Sequence, residues 1–350
     1  MNEKNRKILR EYKKKKSIYE ELSQVVFDKL KDIANTSSIK IYRIEHRVKE
    51  EQSLIGKLER KGDKYDSLTD ITDILGLRVV CFFADDVDRL ATKIEENFEI
   101  DWNQSIDKRK YLATNSFGYL SVHYISSLKK DSGHRPEFDN IQFEIQTCSL
   151  LQHVWAVMEH DLGYKTKFGI PRATARDFSR LAGLLEIADE HFSRIRDSVK
   201  DYTEQVHQKI VNDQAKDILI DSVSLDEYMT CSHKMQNFLQ RLGETCSAEI
   251  FTTSAENYIE QLVWLRKEKI GDLNDMLEEN GELALKIAKN VLCPAKLDIV
   301  SCTVALRFLC LAELINKEYS KNQIIDFFTL TTNNREKAEK DALDLIRNSK

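Results

Sequence analysis

The stretch FEIQTCSLLQHVWAVMEHDLGYK, residues 143–165, decides the fold around which the first half of this chain is organised. Its first residues alternate in polarity with the two-residue period of a β-strand, so one face is apolar and the other carries Gln142, Glu144 and Gln146. The strand is expected to end at Ser149, a residue type that caps helices. A polar strand face next to a packed helix can hold a metal–phosphate group, so we expect the chemistry here.

The helix expected at 149–164 carries apolar residues at helical spacing. We predict that this helix packs against the protein through one apolar side, formed by Leu151, Val154, Trp155, Met158 and Leu162.

Composition excludes several classes of protein. Apolar residues make up 41% of 350 residues, enough for a real core and about two domains. Lys and Arg number 53 against 58 Asp and Glu, a net charge of −5, which argues against a nucleic-acid surface over the whole protein. The seven cysteines form no CxxC pair, which favours reduced thiols in a cytoplasmic protein over a disulfide framework or a zinc site.

Neither a signal peptide nor a membrane span is expected. The N-terminus is charged, and the most apolar stretch, 298–316, contains three charged residues. Three prolines and eleven glycines in the whole chain indicate a helix-rich fold with few long loops.

The segments around the opening stretch predict alternating helices and strands. We expect helices at 3–34, 51–61, 67–75 and 86–98, and strands at 39–49, 77–83, 119–128 and 140–147. This order predicts an α+β fold, a mixed β-sheet of about five strands flanked by helices, with an N-terminal helix before it.

From residue 172 the pattern changes to a single long helix. Its apolar residues step by three and four as in a heptad seam, through Phe178, Leu181, Leu185, Ala188, Phe192, Ile195, Val199, Tyr202 and Val206. This seam can form a homo-oligomer contact or pack on the chain's own sheet or N-terminal helix. We therefore predict a first domain at 1–208, a junction at 209–222 and an all-α region of unassigned role at 223–350.

A basic constellation lies in the segment 42–62. On the strand, alternation puts Arg43, Glu45, Arg47 and Lys49 on one face. On the helix that follows, one face carries Ser53, Lys57 and Arg60. Cations that converge from a strand and a helix suit a polyphosphate chain, because each can neutralise a different phosphate. A solvated charged face explains the same pattern.

Two aspartates precede the apolar strand at 77–83. Asp73 lies at the mouth of this strand, a position that suits Mg²⁺, which prefers one or two carboxylates together with phosphates. For Asp70 we favour a capping or turn role.

A third constellation covers residues 108–126. Tyr119, Ser121 and His123 share one strand face, on which a tyrosine can stack on a purine base and a histidine can reach its phosphates or ribose. Lys108, Arg109 and Lys110 add cations just upstream. Taken alone, such residues are more often packing residues.

Five motifs in this order resemble the synthetase domain of the RelA/SpoT family of alarmone synthetases, especially its small stand-alone forms, over roughly residues 20–205. They are R-x-K-x3-S-x3-K at 47–57, D-x-x-G-x-R at 73–78, G-Y-x-S-x-H at 118–123, E-I-Q at 144–146 and W-A-x-x-E-H-x-x-x-Y-K at 155–165. The resemblance implies a nucleotidyltransferase-like synthetase domain and an Mg²⁺-dependent GTP pyrophosphokinase. This enzyme transfers pyrophosphate from ATP to the 3′-hydroxyl of GDP or GTP to make (p)ppGpp.

The resemblance also implies roles for individual residues. Adenine would lie between Arg47 and Arg78, and the ATP phosphates would be held by Lys49, Ser53, Lys57 and Arg60. Asp73 and Glu144 would bind Mg²⁺, with Glu144 also helping to deprotonate the attacking hydroxyl. The acceptor would contact Tyr119, which stacks on its base, and His123, Gln146, Arg109 and Lys110.

The sequence departs from the family on the acceptor side. Cys148 stands where the family usually has an Arg, and Phe117 and Asn115 stand where the acceptor loop often carries Asn and Lys. The use of ATP is therefore better supported than the choice of guanine nucleotide. Two alternatives stay open: a toxic relative that modifies the 3′ end of tRNA or makes adenosine alarmones, and a non-catalytic nucleotide sensor that binds a partner.

Overall fold

The computed structural model describes residues 3–61, 64–107, 121–130, 133–163, 171–332 and 334–348. Contacts divide the chain into two compact units, residues 1–196 and 197–350. The division lies inside the long helix, earlier than the predicted junction at 209–222. The predicted domain limits, 1–208 and 223–350, stay a prediction.

The first unit is built on a mixed sheet. Its helices are α1 (Glu3–Ser37), α2 (Glu51–Lys61), α3 (Ala84–Asn97), α4 (Leu150–Gly163) and the first part of α5 (Arg172–Val211). Its strands are β1 (Ile41–Val48), β2 (Leu75–Cys81), β3 (Phe98–Ile100), β4 (Ile106–Asp107), β5 (Val122–Leu128) and β6 (Phe143–Ser149). The strand order is β1-β2-β6-β5-β3, with β4 also paired to β5. Among the described pairs of this sheet, β2–β6 is parallel and the others are antiparallel.

This architecture confirms the predicted α+β class with a mixed sheet and corrects two details. Among the described residues the sheet has six strands instead of about five. Two of them, β3 and β4, were not among the four strands whose bounds were predicted; they contain three and two residues, too few to produce an alternating pattern. The helix predicted at 67–75 is wrong: a single 3₁₀ turn, Leu68–Asp70, is present before β2 begins at Leu75.

One face of the sheet packs against α1 and forms part of the apolar core. The apolar side of α1 is completely buried at Tyr12, Leu22, Val26 and Leu30. Phe143 and Ile145 of β6, which alternate with Glu144 and Gln146, are also fully buried in this cluster. Burying such side chains stabilises the fold by about 2 kcal/mol each. The other sheet face is thereby left for polar residues.

The predicted buried side of α4 is wrong. Val154, Met158 and Leu162 are exposed by 47, 50 and 55%. The helix contacts α5 through Trp155, whose indole N–H donates to the carbonyl of Phe178 at 3.1 Å. Helical spacing identifies the apolar side of a helix, but it does not show whether the rest of the first unit buries that side.

Half of the heptad-seam residues of α5 in the first unit are also exposed. Leu181, Phe192 and Ile195 are exposed by 51, 51 and 58%. The buried side chains of this described part of α5 are Ala182 and Asp189. Packing of the seam on the chain's own sheet, one of the two alternatives, is therefore not observed for these residues.

The second unit contains helices around one apolar core. After α5 come α6 (Ser222–Cys231), α7 (His233–Cys246), α8 (Ile259–Trp264), α9 (Ile270–Leu292), α10 (Val304–Asn316), α11 (Lys321–Thr329) and α12 (Arg335–Asn348). The predicted all-α character needs a correction, because β7 (Glu249–Phe251) and β8 (Ile299–Ser301) form a two-stranded parallel sheet. Strands of three residues again leave no periodic signal.

In the second unit, α6 and α7 are separated by a single residue. The helical backbone is interrupted at Ser232, which has extended backbone angles. Its hydroxyl accepts a hydrogen bond from the N–H of Met235 and thereby caps α7. Within the described ranges, every helix is either too short or too polar to cross a membrane.

A buried carboxyl group connects the end of β6 to α5. The Ser149 hydroxyl donates to the carboxyl group of Asp189, which is 3% exposed. Burial raises the pKa of this carboxyl to about 6, although the hydrogen bond from Ser149 acts in the opposite direction.

This raised pKa predicts a pH-dependent stability. An unfolded aspartate has a pKa of about 4, so the folded state binds more protons between pH ~4 and ~6 and loses stability as the pH rises through that window. Asp189→Asn removes the ionisable group. We compare the free energy of unfolding of Asp189→Asn with that of the wild type in urea titrations. The difference should shift by about 2 kcal/mol in favour of the variant between about pH 4.5 and about pH 7.5. Asp177→Asn, at an exposed position of the same helix, is the control and should show no such change. An equal difference at both pH values would contradict the prediction.

Candidate active site

The register of four strands brings polar residues from distant parts of the sequence into two rows. In one row Arg47 of β1 lies opposite Gly76 of β2, which lies opposite Glu144 of β6. In the next row the partners are Glu45, Arg78, Gln146 and His123. Directly paired residues lie on the same face of a sheet, so both rows face away from the apolar core.

This face forms the floor of a cavity of about 480 Å³. That volume lies in the usual range for small-molecule sites. Most of the lining side chains are charged or polar: Arg43, Glu45, Arg47, Lys49, Asp73, Arg78, Glu144 and Gln146.

Gly76 occupies the middle of the first row. A Cβ atom at this position would have no neighbour within 4 Å, so the backbone does not require a glycine here. The missing side chain leaves space between Arg47 and Glu144, the two residues on either side. Gly76 therefore contributes to the depth of the cavity.

Asp73 lies just before β2 and is held by two lysines. Its Oδ1 accepts from Lys57 Nζ at 2.7 Å, and its Oδ2 is 3.2 Å from Lys49 Nζ. Burial acts to raise the pKa of Asp73, but the two ammonium groups outweigh it and lower the pKa below its usual value. The carboxylate is therefore ionised at neutral pH.

The position of Lys49 depends on two backbone hydrogen bonds. Its N–H donates to the carbonyl of Ile74 at 2.7 Å, which ties the end of β1 to the residue after Asp73. Its carbonyl accepts from the hydroxyl of Tyr12 in α1 at 2.5 Å. The N-terminal helix thus helps to fix a cation of the cavity.

Glu144 is the centre of a hydrogen-bond network on the sheet. Its Oε1 lies 2.8 Å from His123 Nδ1, and its Oε2 accepts from the Gln146 amide at 2.9 Å. Gln146 in turn accepts from Arg78 at 3.0 Å, and His123 Nε2 lies 2.9 Å from the hydroxyl of Ser121. The network fixes the directions of all these side chains.

Burial acts to raise the pKa of Glu144. The hydrogen bond and charge of His123, together with the hydrogen bond from Gln146, outweigh it and lower the pKa below its usual value. Asp73 acts in the opposite direction, because its negative charge raises the pKa of Glu144.

These two carboxylates fit a divalent metal ion. Asp73 and Glu144 line the same cavity, each is partly buried, and the charge of one acts on the other. Carboxylate oxygens that face a cavity are the donors preferred by hard divalent cations.

Several residues named from the sequence do not line this cavity. Ser53 is exposed on α2, and Arg60 is exposed with its Nε donating to the carbonyl of Gly56. Asp70 caps the 3₁₀ turn by accepting from the backbone N–H groups of Asp66 and Ser67, as its predicted turn role requires. Tyr119, Arg109 and Lys110 lie outside the described residues.

The structure adds residues to the predicted set. Arg43 and Glu45 line the cavity, and Ser121, which is completely buried, supports His123. The two-residue period of β1 had placed Arg43 and Glu45 on the face of Arg47, so their signal was present in the sequence. Gly76 belongs to the motif at 73–78, but its contribution to the cavity could not be predicted, because it depends on which residues the neighbouring strands supply.

The fold and the site define an α+β protein with a polar nucleotide-sized cavity, two carboxylates and several cations on one face of a mixed sheet. Comparison with known proteins agrees with this description. The family described as "Region found in RelA / SpoT proteins" matches residues 46–168.

Two relatives come from Bacillus subtilis (strain 168). GTP pyrophosphokinase YjbM is 30% identical over 160 residues, covering 44% of this chain and 72% of the relative. GTP pyrophosphokinase YwaC is 27% identical over 163 residues, covering 45% of this chain and 75% of the relative. The crystal structure of small alarmone synthetase 1 from Bacillus subtilis is 26% identical, with a TM-score of 0.44, and covers 55% of this chain and 98% of that one. The chain belongs to the RelA/SpoT family, which confirms the resemblance found in its motifs.

Proposed function

We propose that this protein is a GTP pyrophosphokinase, a transferase that moves the β,γ-pyrophosphate of ATP to the 3′-hydroxyl of GDP or GTP and makes (p)ppGpp and AMP. The observation that carries the proposal is the strand register, which gathers Arg47, Asp73, Arg78, Glu144 and Gln146 around one cavity. A family relationship at 30% identity to a GTP pyrophosphokinase supports the same reaction.

ATP binds through the cations of the cavity. Arg47 and Arg78 contact adenine with their flat guanidinium groups, and Lys49 and Lys57 neutralise the phosphates. Ser53 and Arg60, which lie outside the cavity lining, join them when the phosphates are bound. Lys49 and Lys57 are paired with Asp73 in the structure. Phosphate oxygens compete for these ammonium groups, which frees the oxygens of Asp73 for a metal ion.

Asp73 and Glu144 hold the metal ion, and we propose Mg²⁺, because its preferred site combines one or two carboxylates with the oxygens of phosphates. A bound Mg²⁺ neutralises charge on the phosphate chain and thereby lowers the barrier to its transfer. Both carboxylates are ionised at neutral pH because their pKa values are lowered, so they need no deprotonation before metal binding.

Glu144 also accepts the proton of the attacking hydroxyl. The 3′-oxygen forms a bond to the β-phosphorus of ATP, the bond from that phosphorus to the bridging α,β-oxygen breaks, and AMP leaves. His123 and Gln146 orient Glu144 through hydrogen bonds of 2.8 and 2.9 Å, so the proton acceptor is positioned before substrate arrives.

The acceptor nucleotide is held by Tyr119, with His123, Arg109 and Lys110 near its base and phosphates. Cys148, which replaces an arginine of the family pattern, is completely buried and offers no contact to a phosphate. Arg43 and Glu45 line the cavity and are ion-paired at 3.1 Å, and they supply polar contacts on the ATP side of the sheet.

The acceptor is identified by incubating the purified protein and Mg²⁺ with ATP labelled in the β-phosphate, together with GDP, GTP, AMP or deacylated tRNA. Label on GDP or GTP is the expected result. Label on tRNA alone, or on AMP alone, would replace the proposal by the toxic-relative alternative. Transfer to none of them would favour a nucleotide sensor whose helical second unit binds a partner.

Isosteric substitutions test the two carboxylates. Asp73→Asn and Glu144→Gln should each lower kcat by about a hundredfold or more, because each removes preorganised charge at the transferring group. Asp70→Asn is the matched control: its carboxylate only caps a turn, so kcat should stay within about twofold of the wild type. Near-normal turnover of either active-site variant, with the fold intact by circular dichroism, would show that the metal is held elsewhere.

We propose that a second copy of this chain covers the open apolar surface of the first unit. This surface comprises Val154, Val157, Met158 and Leu162 of α4 and Leu181, Leu184, Ile187, Phe192 and Ile195 of α5. Leu181, Phe192 and Ile195 belong to the heptad seam, and heptad spacing is the pattern with which identical helices pair.

A cytoplasmic location fits the nucleotide substrates and the seven free thiols.

The oligomer is tested by light scattering after size-exclusion chromatography. The wild type should have at least twice the mass of one chain, and Leu181→Glu combined with Ile195→Glu should reduce it to one chain, since two charges would be buried at the contact. His191→Glu introduces the same charge at an exposed polar position of α5 and should leave the mass unchanged. A monomeric wild type would exclude the contact.

A further inference from the structure

Three potential metal ligands converge in the second unit, and none of them is among the residues that line the candidate active site. Glu227 and Cys231 are four residues apart on α6, so both side chains lie on one face of that helix. His207 lies on the last turns of α5 and faces them. One ligand atom from each residue lies within 4.8 Å of the other two.

The contacts inside the cluster show how closely the side chains approach. Glu227 Oε2 lies 2.9 Å from His207 Nδ1 and accepts from the Cys231 thiol at 3.5 Å. One carboxylate oxygen therefore meets both an imidazole nitrogen and a sulfur. The three donor groups are therefore close enough to one another to share a single ion.

The two helices that carry the ligands are firmly anchored. On α5, Val206 and Ile210 on either side of His207 are 2 and 3% exposed in the core of the second unit. On α6, Tyr228 and Met229 beside Glu227 are both 1% exposed. Rigid elements hold ligands in position better than loops do.

The cluster is nevertheless open to an ion from solution. The side chains of His207 and Glu227 are 39 and 22% exposed. Three protein ligands leave one position of a tetrahedral ion for water.

We propose that His207, Glu227 and Cys231 form a binding site for one Zn²⁺ ion. A nitrogen, a carboxylate oxygen and a sulfur are a donor set that Zn²⁺ accepts, whereas Mg²⁺ requires oxygen ligands. The site joins the end of α5 to α6, so the ion stabilises the second unit by binding its folded form.

Zinc binding displaces a proton. The Cys231 thiol loses its proton when its sulfur coordinates the ion, and the nitrogen of His207 that coordinates must be unprotonated. The apparent affinity should therefore rise with pH.

Cobalt(II) is a suitable probe, because its bonds to thiolates produce a charge-transfer absorption that carboxylates and imidazoles do not. The full-length reduced protein, freed of metal, is titrated with Co²⁺ and then with Zn²⁺. The expected result is a thiolate–cobalt band that saturates at one Co²⁺ per chain. Stoichiometric Zn²⁺ should remove this band, and a large excess of Mg²⁺ should not. Co²⁺ bound by Asp73 and Glu144 would not contribute to this band.

Variants assign the site. Cys231→Ser and His207→Ala should abolish the band or weaken binding by about a hundredfold or more. Cys246→Ser removes another partly exposed thiol of the same unit, and His191→Ala removes another histidine of α5. Both controls should bind like the wild type. Zn²⁺ should also raise the melting temperature of the wild type and the controls, but not that of the two site variants.

The proposal is overturned if the wild type shows no thiolate–cobalt band. It is equally overturned if Cys246→Ser loses the band while Cys231→Ser retains it. Should one site variant be misfolded, as judged from its melting temperature without metal, the other decides the assignment alone.

Discussion

The hydrogen-bond register across β1, β2, β6 and β5 is the constraint on which the site depends. The parallel pairing of β2 with β6 places Arg78 opposite Gln146, and the side chains bond to each other at 3.0 Å. Since successive side chains alternate between the two faces, a slip of one residue would turn Glu144 and Gln146 into the core. The fully buried Phe143 and Ile145 oppose such a slip, so the apolar face determines the register of the polar one.

The charges of the cavity are balanced within the protein. Lys49 and Lys57 share the carboxylate of Asp73, and Glu144 is shared by His123 and Gln146. These pairs keep partly buried charges compensated, because an isolated charge away from water is costly. The same pairs can be exchanged for contacts with phosphates and a metal ion. The site is thus organised before a ligand arrives, which lowers the entropic cost of binding it.

Some residues are visible in the sequence, but their contacts in the folded protein could not be predicted from it. The apolar residues of α4 and α5 follow helical spacing and were expected, for α4, to pack within the fold, yet Val154, Met158 and Ile195 are about half exposed. In the second unit, the scattered cysteines and histidines suggested no metal site. His207 and Cys231 are 24 positions apart and meet only because two helices pack side by side.

The sequence by itself determined the family, the α+β class, the long elements and the polar faces of β1 and β6. These follow from local period, capping residues and motifs, which act over a few residues. Only the tertiary structure decided that Arg47, Gly76 and Glu144 form one row, that Asp73 holds Lys49 and Lys57, and that Ser53 and Arg60 stay outside the cavity lining. Such contacts join residues far apart in sequence, and they depend on strand register and helix packing, which no local pattern encodes. The short strands β3, β4, β7 and β8 escaped prediction for the same reason: their neighbours in the sheets, and not their own sequence, make them strands.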